Sequence, residues 1–315
     1  MSGRSRSDLS RPAVIGVDIG GTKIAVGSVS GSRIVAGRKA PTPVGGDAII
    51  ARTVEMISEV AAGQWFSAVG VGAAGVLDRG VVVAAGGTMP GWAGTQLAGR
   101  LESALGVPIA AENDVKVAAL GEIAAGAGRG LDRLLYVSFG TGVGGAIVLD
   151  GTVQVGSRGA AGELGHLLVD VKGALACGCG RDDHLESVAA GPAIAAAYRR
   201  RTGAVRQLPE IAAAARSGDP VAGEVIRHAA EAAGRAVAGL AVALDVPAVV
   251  IGGGVARLGP LLLDPLRAAL TEAVPAWLGP VEVKASAAGV DGPILGAARL
   301  ARGLLPGRSP AGLER

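Results

Sequence analysis

The chain has 315 residues, of which half are hydrophobic and 53 are glycine. A chain of this length and apolar content can bury a sizeable core, and we expect it to form two lobes. Lysine and arginine exceed aspartate and glutamate by 30 − 27 = 3. So weak a basic excess is more typical of solvated chain ends than of a nucleic-acid-binding surface, so no nucleic-acid partner is expected.

The N-terminal sequence lacks the pattern of an exported protein, because its apolar run ends at Asp18 before it reaches the length of a signal-peptide core. Other apolar runs contain charges or many glycines and fall short of the roughly 20 residues that span a bilayer. We therefore expect a cytoplasmic protein with no membrane partner. Cys177 and Cys179 are the only cysteines, and a bridge between them would be strained, so reduced thiols or a metal site are favoured.

The first predicted elements recur 120 residues later in the chain. The sequence VIGVDIGGTKIAVGSVSGSRIV aligns with LLYVSFGTGVGGAIVLDGTVQV, so that Val17 matches Val137 and Gly20 matches Gly140. Each copy predicts a strand, a glycine turn, a second strand and a hairpin turn that contains glycine. A duplication of this kind indicates two lobes built on one plan.

The segments after each hairpin alternate between helix and strand patterns, which favours α/β lobes. In chain order we predict a helix over 46–62, a strand and its turn over 67–75, a helix over 96–106 and a strand over 107–114. Asp219 and Pro220 are the expected N-cap and first residue of a helix that ends near Leu244. A strand and glycine turn over 247–256 and a last helix over 293–305 follow.

We predict an N-terminal lobe over 13–114, completed by the helix near 293–305. A C-terminal lobe over 115–292 carries the cysteine loop.

Two glycine turns resemble phosphate-binding loops. In each, glycines let backbone N–H groups surround an anion and a threonine can donate to a phosphate oxygen. Asp18, at the end of the first strand, can also hold a hydrated magnesium ion. One such turn alone is most often only a hairpin turn, but the duplication favours a phosphate clamp. Its candidate residues are Asp18, Gly20, Gly21, Thr22, Lys23, Gly140, Thr141 and Gly142.

The sequence AENDVKVAALGE predicts a strand that ends at Asn113 and Asp114, followed by a helix. Asp114 has two interpretations from its position. It can cap the helix, or, at the carboxyl end of a strand, it can accept a proton from a substrate hydroxyl. Both stay open at this point.

A metal site would explain why the two cysteines lie so close together. His166, Cys177, Cys179 and His184 supply the four nitrogen and sulfur donors that a tetrahedral structural zinc site needs. Zinc would hold one ring nitrogen of His166, which leaves the other free to hydrogen-bond a ligand. A metal-free loop, with His166 as an ordinary core histidine, is the alternative.

The motifs DIGGTK, END, GTGVGG, GELGH and CGCGRDDHLE occur together and in this order in the ROK family of sugar kinases. TMPGW resembles the segment before the base in the bacterial glucokinases of that family. The resemblance runs from about Val14 to Gly303. It implies the actin-like ATPase (ribonuclease H-like) α/β fold, with two lobes that close on ATP and sugar in a central cleft.

The resemblance also implies roles for individual residues. Asp114 matches the base, and Asp18, Thr22 and Thr141 match magnesium and phosphate contacts. Gly253 and Gly254 match the turn near the nucleoside, and Gly75 a glycine near the sugar. The residues that match the ligands of the sugar hydroxyls are Asn113, Glu163, His166 and Glu186.

Three positions depart from the family pattern. His184 stands where a third cysteine is usual, Thr88 where an asparagine often contacts the sugar, and Ala74 where proline is common. Histidine is a competent zinc ligand, so an altered zinc affinity is expected more than its loss. Thr88 leaves the choice of sugar open.

We therefore expect a sugar kinase that uses ATP, Mg²⁺ and a structural Zn²⁺, with a hexose as substrate, most of all glucose at O6. N-acetylmannosamine and N-acetylglucosamine are alternative acceptors, and polyphosphate is an alternative donor. The resemblance further implies a homodimer or a dimer of dimers.

A non-catalytic sugar sensor is a second hypothesis. Only 17 residues precede Asp18, too few for a helix-turn-helix module, so a fused repressor is not expected. An actin-like chaperone ATPase ranks last, because it does not explain Glu163, His166 and Glu186.

Overall fold

The protein was studied as a computed structural model that describes residues 13–87, 89–170, 176–305 and 313–314. Thr88 lies outside the described residues. The chain divides into two compact units, which are described separately below. The first comprises 1–132, 149–161 and 287–315, and the second comprises 133–148 and 162–286.

The strands within the described residues are, in chain order, β1 (Val14–Ile19), β2 (Lys23–Ser30), β3 (Arg33–Pro41), β4 (Val69–Ala73), β5 (Val76–Asp78), β6 (Val81–Ala84), β7 (Ile109–Asn113), β8 (Leu134–Phe139), β9 (Val143–Leu149), β10 (Thr152–Gln154), β11 (Ala248–Gly252), β12 (Glu282–Ala285) and β13 (Leu313–Glu314).

The α-helices are α1 (Gly46–Ala61), α2 (Leu97–Leu105), α3 (Asp114–Ala125), α4 (Glu186–Ala189), α5 (Gly191–Thr202), α6 (Leu208–Arg216), α7 (Pro220–Leu244), α8 (Pro260–Ala273) and α9 (Gly292–Arg302). Short 3₁₀ helices span Leu164–His166, Val255–Leu258, Ala276–Leu278 and Gly289–Asp291. Among the described residues, no helix combines the length and the apolar character that a membrane crossing requires.

The predicted duplication is present as two hairpins at the same offset. β1 and β8 start at residues 14 and 134, and each pairs in antiparallel register with the strand that follows it. Gly31 and Gly151, which match in the alignment, both have positive φ angles, of 57° and 72°. Glycine adopts this backbone conformation at low cost, which explains why both hairpins turn there.

The first unit contains a five-stranded sheet in the order β3-β2-β1-β4-β7. β1 pairs with β4 and β4 with β7 in parallel. Ile15, Val17 and Ile19 of β1 point to a core shared with α1 and with the fully buried Trp92. Val14, on the other face of the strand, packs with Ile294 of α9. β1 is therefore covered on both faces, as expected for a strand that is apolar along almost its whole length.

α1 shows why these segments become helices that face the sheet. Its buried residues recur every three or four positions, which places them on one face of a helix: Ile49, Ile50, Thr53, Met56, Ile57 and Val60. The helix ends at Ala62, which has the left-handed conformation typical of a helix C-terminus.

The second unit repeats the same pairing plan. Its strands follow the order β9-β8-β11-β12, in which β8 pairs with β11 and β11 with β12 in parallel. α7 and α8 pack against each other beside this sheet. Asp219 caps α7 as predicted, because its Oδ1 atom accepts hydrogen bonds from the N–H groups of Val221 at 2.9 Å and Ala222 at 3.1 Å.

Candidate active site

The first glycine turn joins β1 to β2 and is held by a residue that sequence reasoning missed. Gly20 N–H donates to Lys23 O at 3.0 Å, which closes the turn. Thr42, just after β3, donates from Oγ1 to Gly20 O at 2.6 Å and from its N–H to Thr22 O at 3.2 Å. These contacts fix the backbone of the turn and leave the side chains of Thr22 and Lys23 exposed.

Asp18 lies in β1 next to this turn and pairs with Ala25 of β2 and Gly72 of β4. Burial raises the pKa of its carboxyl, and the positive charges of Lys23 and Lys39 oppose that rise. An ionised carboxylate in such a position is costly without a cation. The site chemistry therefore fits a carboxylate that gains from a bound magnesium complex.

The substitution Asp18→Asn is expected to raise the Tm of the ligand-free protein at neutral pH by a few degrees, because it removes a carboxylate that burial disfavours. The same substitution removes the negative charge that would face magnesium, so the Tm increase produced by magnesium and ATP should shrink. Thermal unfolding with and without these ligands measures both effects. A ligand-free Tm below that of the wild type would contradict the burial argument.

The predicted base lies where β7 meets α3, and its neighbour Asn113 caps the helix. Asn113 Oδ1 accepts hydrogen bonds from Val115 N–H at 3.0 Å and Lys116 N–H at 3.2 Å. Asp114 is the first residue of the helix, so the capping role considered for it belongs to Asn113.

Asn113 also links Asp114 to the predicted glycine near the sugar. Its Nδ2 atom donates to Gly75 O at 3.0 Å and to Asp114 Oδ1 at 3.2 Å. Val115 N–H donates to the same Asp114 oxygen at 2.9 Å. The structure therefore brings Gly75, Asn113 and Asp114 together at the carboxyl end of β7.

The second glycine turn, between β8 and β9, contacts Glu186. Gly140 N–H donates to Gly142 O at 2.8 Å, and Val143 N–H donates to Glu186 Oε2 at 2.9 Å. A Cβ atom on Gly142 would lie 2.4 Å from the same Oε2 atom, so a larger residue there would displace the Glu186 carboxylate. A predicted sugar ligand and a predicted phosphate turn are thus in direct contact.

The N-terminus of α5 lies beside this turn, which sequence reasoning also missed. Gly191 N–H, at the start of the helix, donates to Gly140 O at 2.9 Å. The positive end of a helix dipole favours anions nearby. Pro192, in the first turn of the helix, is the sequence signal that could have predicted this helix start.

The third glycine turn follows β11. Gly253 has φ of 85°, and a Cβ atom there would lie 2.2 Å from Phe139 O of β8. Both facts require glycine. Gly253 and Gly254 are exposed, so this turn presents open backbone at the carboxyl ends of two parallel strands.

The four predicted metal ligands lie together in the second unit, and the two remaining sugar candidates adjoin them. The ligand atoms of His166, Cys177, Cys179 and His184 all lie within 4.8 Å of one another. Glu163 precedes the 3₁₀ turn that contains His166 and accepts its N–H through the backbone oxygen at 3.1 Å. Cys177 Sγ is 3.9 Å from Glu186 Oε1.

The spacing of these atoms fits zinc. His166 Nδ1 is 3.2 Å from His184 Nδ1 and 3.8 Å from Cys177 Sγ, and Cys179 Sγ is 3.3 Å from His184 Nδ1. Tetrahedral zinc with ordinary bond lengths separates its ligand atoms by about 3.3–3.8 Å. Burial raises the pKa of the Cys177 thiol, which a bound cation would reverse. The Nδ1 atom of His166 faces the cluster, which leaves Nε2 for another partner.

Two units that begin with the same hairpin and repeat the same strand pairing define an actin-like ATPase fold. The sequence model of the ROK family matches residues 14–303, and the chain belongs to this family.

Three relatives indicate the range of the similarity. A glucokinase of Streptomyces coelicolor is 34% identical over 308 residues, with 91% of this chain and 97% of the relative covered. An N-acetylmannosamine kinase of Yersinia pestis is 36% identical over 246 residues, with 76% of this chain and 82% of the relative covered. The crystal structure of a ROK family glucokinase from Streptomyces griseus, in complex with glucose and AMPPNP, has a TM-score of 0.79 and 35% identity, with 92% of this chain and 99% of that chain covered.

Proposed function

We propose that this protein is an ATP-dependent glucokinase, which transfers the γ-phosphoryl group of ATP to O6 of glucose. One observation carries the proposal. The Asp114 carboxylate is held at the carboxyl end of β7 by Asn113 and Val115, in the same unit as the first glycine turn. The similarity to glucokinases over nine-tenths of the chain supports glucose as the acceptor.

Asp114 acts as the base in this mechanism. It accepts the proton of the sugar hydroxyl while that oxygen attacks the γ-phosphorus and the bond to the β–γ bridging oxygen breaks. Asn113 Nδ2 orients the carboxylate by donating a hydrogen bond to Oδ1. Phosphoryl transfer needs little covalent help, so this positioning supplies much of the rate.

The glycine turns hold the nucleotide in this proposal. Each of the two turns offers backbone N–H groups and a threonine hydroxyl, that of Thr22 or Thr141, as donors to phosphate oxygens. Asp18 would hold the magnesium complex, which would neutralise charge on the phosphates. Gly253 and Gly254 face the nucleoside.

The resemblance to the ROK family supports Asn113, Glu163, His166 and Glu186 as ligands of the sugar hydroxyls. His166, Cys177, Cys179 and His184 would hold a zinc ion, which would fix the ring of His166 through Nδ1 and leave Nε2 for a sugar hydroxyl. We further propose a homodimer that acts in the cytoplasm, on the basis of the family resemblance and of the composition.

The test is ADP release from magnesium and ATP with a panel of glucose, N-acetylmannosamine, N-acetylglucosamine, mannose and fructose. Glucose should give the highest kcat/KM. A preference for a 2-acetamido sugar would support a sugar kinase with a different substrate. Sugar binding without ADP release would support the sugar-sensor hypothesis instead. ATP hydrolysis independent of sugar would contradict both the kinase and the sensor. Polyphosphate in place of ATP tests the alternative donor.

A further inference from the structure

Two buried charges lie directly beside the proposed base and have no part in the mechanism above. Lys116 is 1% exposed and Glu112 is 2% exposed. Lys116 Nζ lies 3.6 Å from Glu112 Oε1 and donates a hydrogen bond to Gly159 O at 2.5 Å. A lysine on the first turn of a helix is usually solvated, and its complete burial needs a reason.

Hydrogen bonds join Asn113 to both residues of the ion pair. Glu112 Oε1 accepts the N–H of Asn113 at 2.8 Å, and the N–H of Lys116 donates to Asn113 Oδ1 at 3.2 Å. Asn113 in turn donates to Asp114 Oδ1. A short chain of hydrogen bonds therefore leads from the buried pair to the carboxylate.

Gly159, whose carbonyl oxygen accepts the hydrogen bond from Lys116 Nζ, lies in a fixed segment of backbone. It has φ of 76°, and a Cβ atom there would lie 2.2 Å from Leu77 O, so its backbone is packed tightly in place. Lys116 thus holds the start of α3 to a fixed segment of the same unit. This segment stands four residues before Glu163 in the sequence.

We infer that Glu112 and Lys116 form a buried brace, and that Lys116 is a positioning residue that sets the orientation of Asp114. The inference rests on the proposed function for its kinetic consequence. A displacement of about 1 Å at a reacting group can cost roughly 10²-fold in rate. The brace prevents such a displacement because Glu112 holds the backbone N–H of Asn113 and Lys116 holds its side-chain oxygen.

The test compares Lys116→Met with a matched control in the same helix, Glu122→Gln. Methionine keeps most of the length of the side chain and removes the charge. Glu122 is also 2% exposed and accepts backbone N–H groups from Ala127, Ala287 and Ala288. It lies eight residues from Asp114, about 12 Å along the helix. The control therefore disturbs a buried carboxylate far from the base.

Lys116→Met should lower kcat roughly 10²-fold and leave the KM for ATP unchanged. Amide hydrogen exchange in peptides that span 110–120 should become faster at Asn113, Val115 and Lys116. Glu122→Gln should lower the Tm about as much as Lys116→Met does. Its kcat and the hydrogen exchange of those three amides should be the same as in the wild type. Equal kcat losses in the two variants, or wild-type exchange at the three amides in Lys116→Met, would overturn the inference.

A second variant covers the case in which Lys116→Met does not fold. The double substitution Glu112→Gln with Lys116→Met leaves no unpaired charge, so it should recover the Tm while kcat stays low and the exchange stays fast. Wild-type kcat in this double variant would overturn the brace. If the wild type releases no ADP with any sugar, the proposed function fails, and the exchange measurements still decide whether the brace exists.

Discussion

Asp114→Asn is expected to lower kcat for glucose phosphorylation by about 10²–10⁴-fold, which is the usual contribution of a general base. Asparagine has nearly the same shape as aspartate, and its carbonyl oxygen can still accept the hydrogen bond that Val115 N–H donates to Oδ1. It cannot accept the proton of the sugar hydroxyl. The rate should therefore fall while the Tm and the glucose Kd change little.

The measurement is ADP release at saturating glucose and ATP, paired with calorimetric titration of glucose. Asn113→Ala is the comparison variant, because it removes the helix cap, the contact with Gly75 O and the hydrogen bond that orients Asp114, but keeps the base. It should lower stability by about 1 kcal/mol, weaken glucose binding and lower kcat less than Asp114→Asn does. Near-normal turnover in Asp114→Asn would show that Asp114 is not the base.

The hairpins and the helix boundaries could be predicted because their signals are local. Glycine turns, alternation of apolar residues and the Asp219–Pro220 cap all act over a few residues, and the structure has the helix that ends at Leu244. The repeat at 120 residues added a signal that no single turn carries. β8 therefore begins where the alignment with β1 places it.

The capping residue shows the limit of a local pattern. Asn and Asp are equally good N-caps, so the adjacent pair Asn113 and Asp114 left two assignments. The choice depends on Gly75 O, which lies 38 residues earlier in the chain and accepts a hydrogen bond from Asn113 Nδ2. Only the sheet pairing of β4 with β7 brings these two residues together.

Thr42 and Lys116 were missed for the same reason. Thr42 contacts Gly20 across 22 residues, and Lys116 contacts Gly159 across 43. Lysine in a helix is normally exposed, so nothing in the local sequence indicates the burial of Lys116. The candidate metal ligands, by contrast, were recognisable because structural zinc is typically bound by cysteine and histidine, and the chain has only two cysteines and three histidines.

Removal of zinc is expected to weaken glucose binding strongly and ATP binding little. The cluster holds His166 through Nδ1, and Cys177 Sγ lies 3.9 Å from Glu186 Oε1. Both His166 and Glu186 are proposed sugar ligands, so loss of the metal would release them together. Mutation of a single residue that hydrogen-bonds a metal ligand typically costs 10–100-fold in metal affinity or activity. We expect the KM for glucose to rise by at least about 10–100-fold after chelation. The KM should recover when zinc is added back.

His184 allows a matched pair of variants. His184→Ala removes one of the four ligands and should lower both the zinc content, measured by elemental analysis, and the affinity for glucose. His184→Cys keeps four nitrogen and sulfur donors and should retain both. Full activity in a zinc-free wild type would contradict a structural metal. Loss of activity in both variants, with zinc still bound, would instead assign His184 a direct role with the sugar.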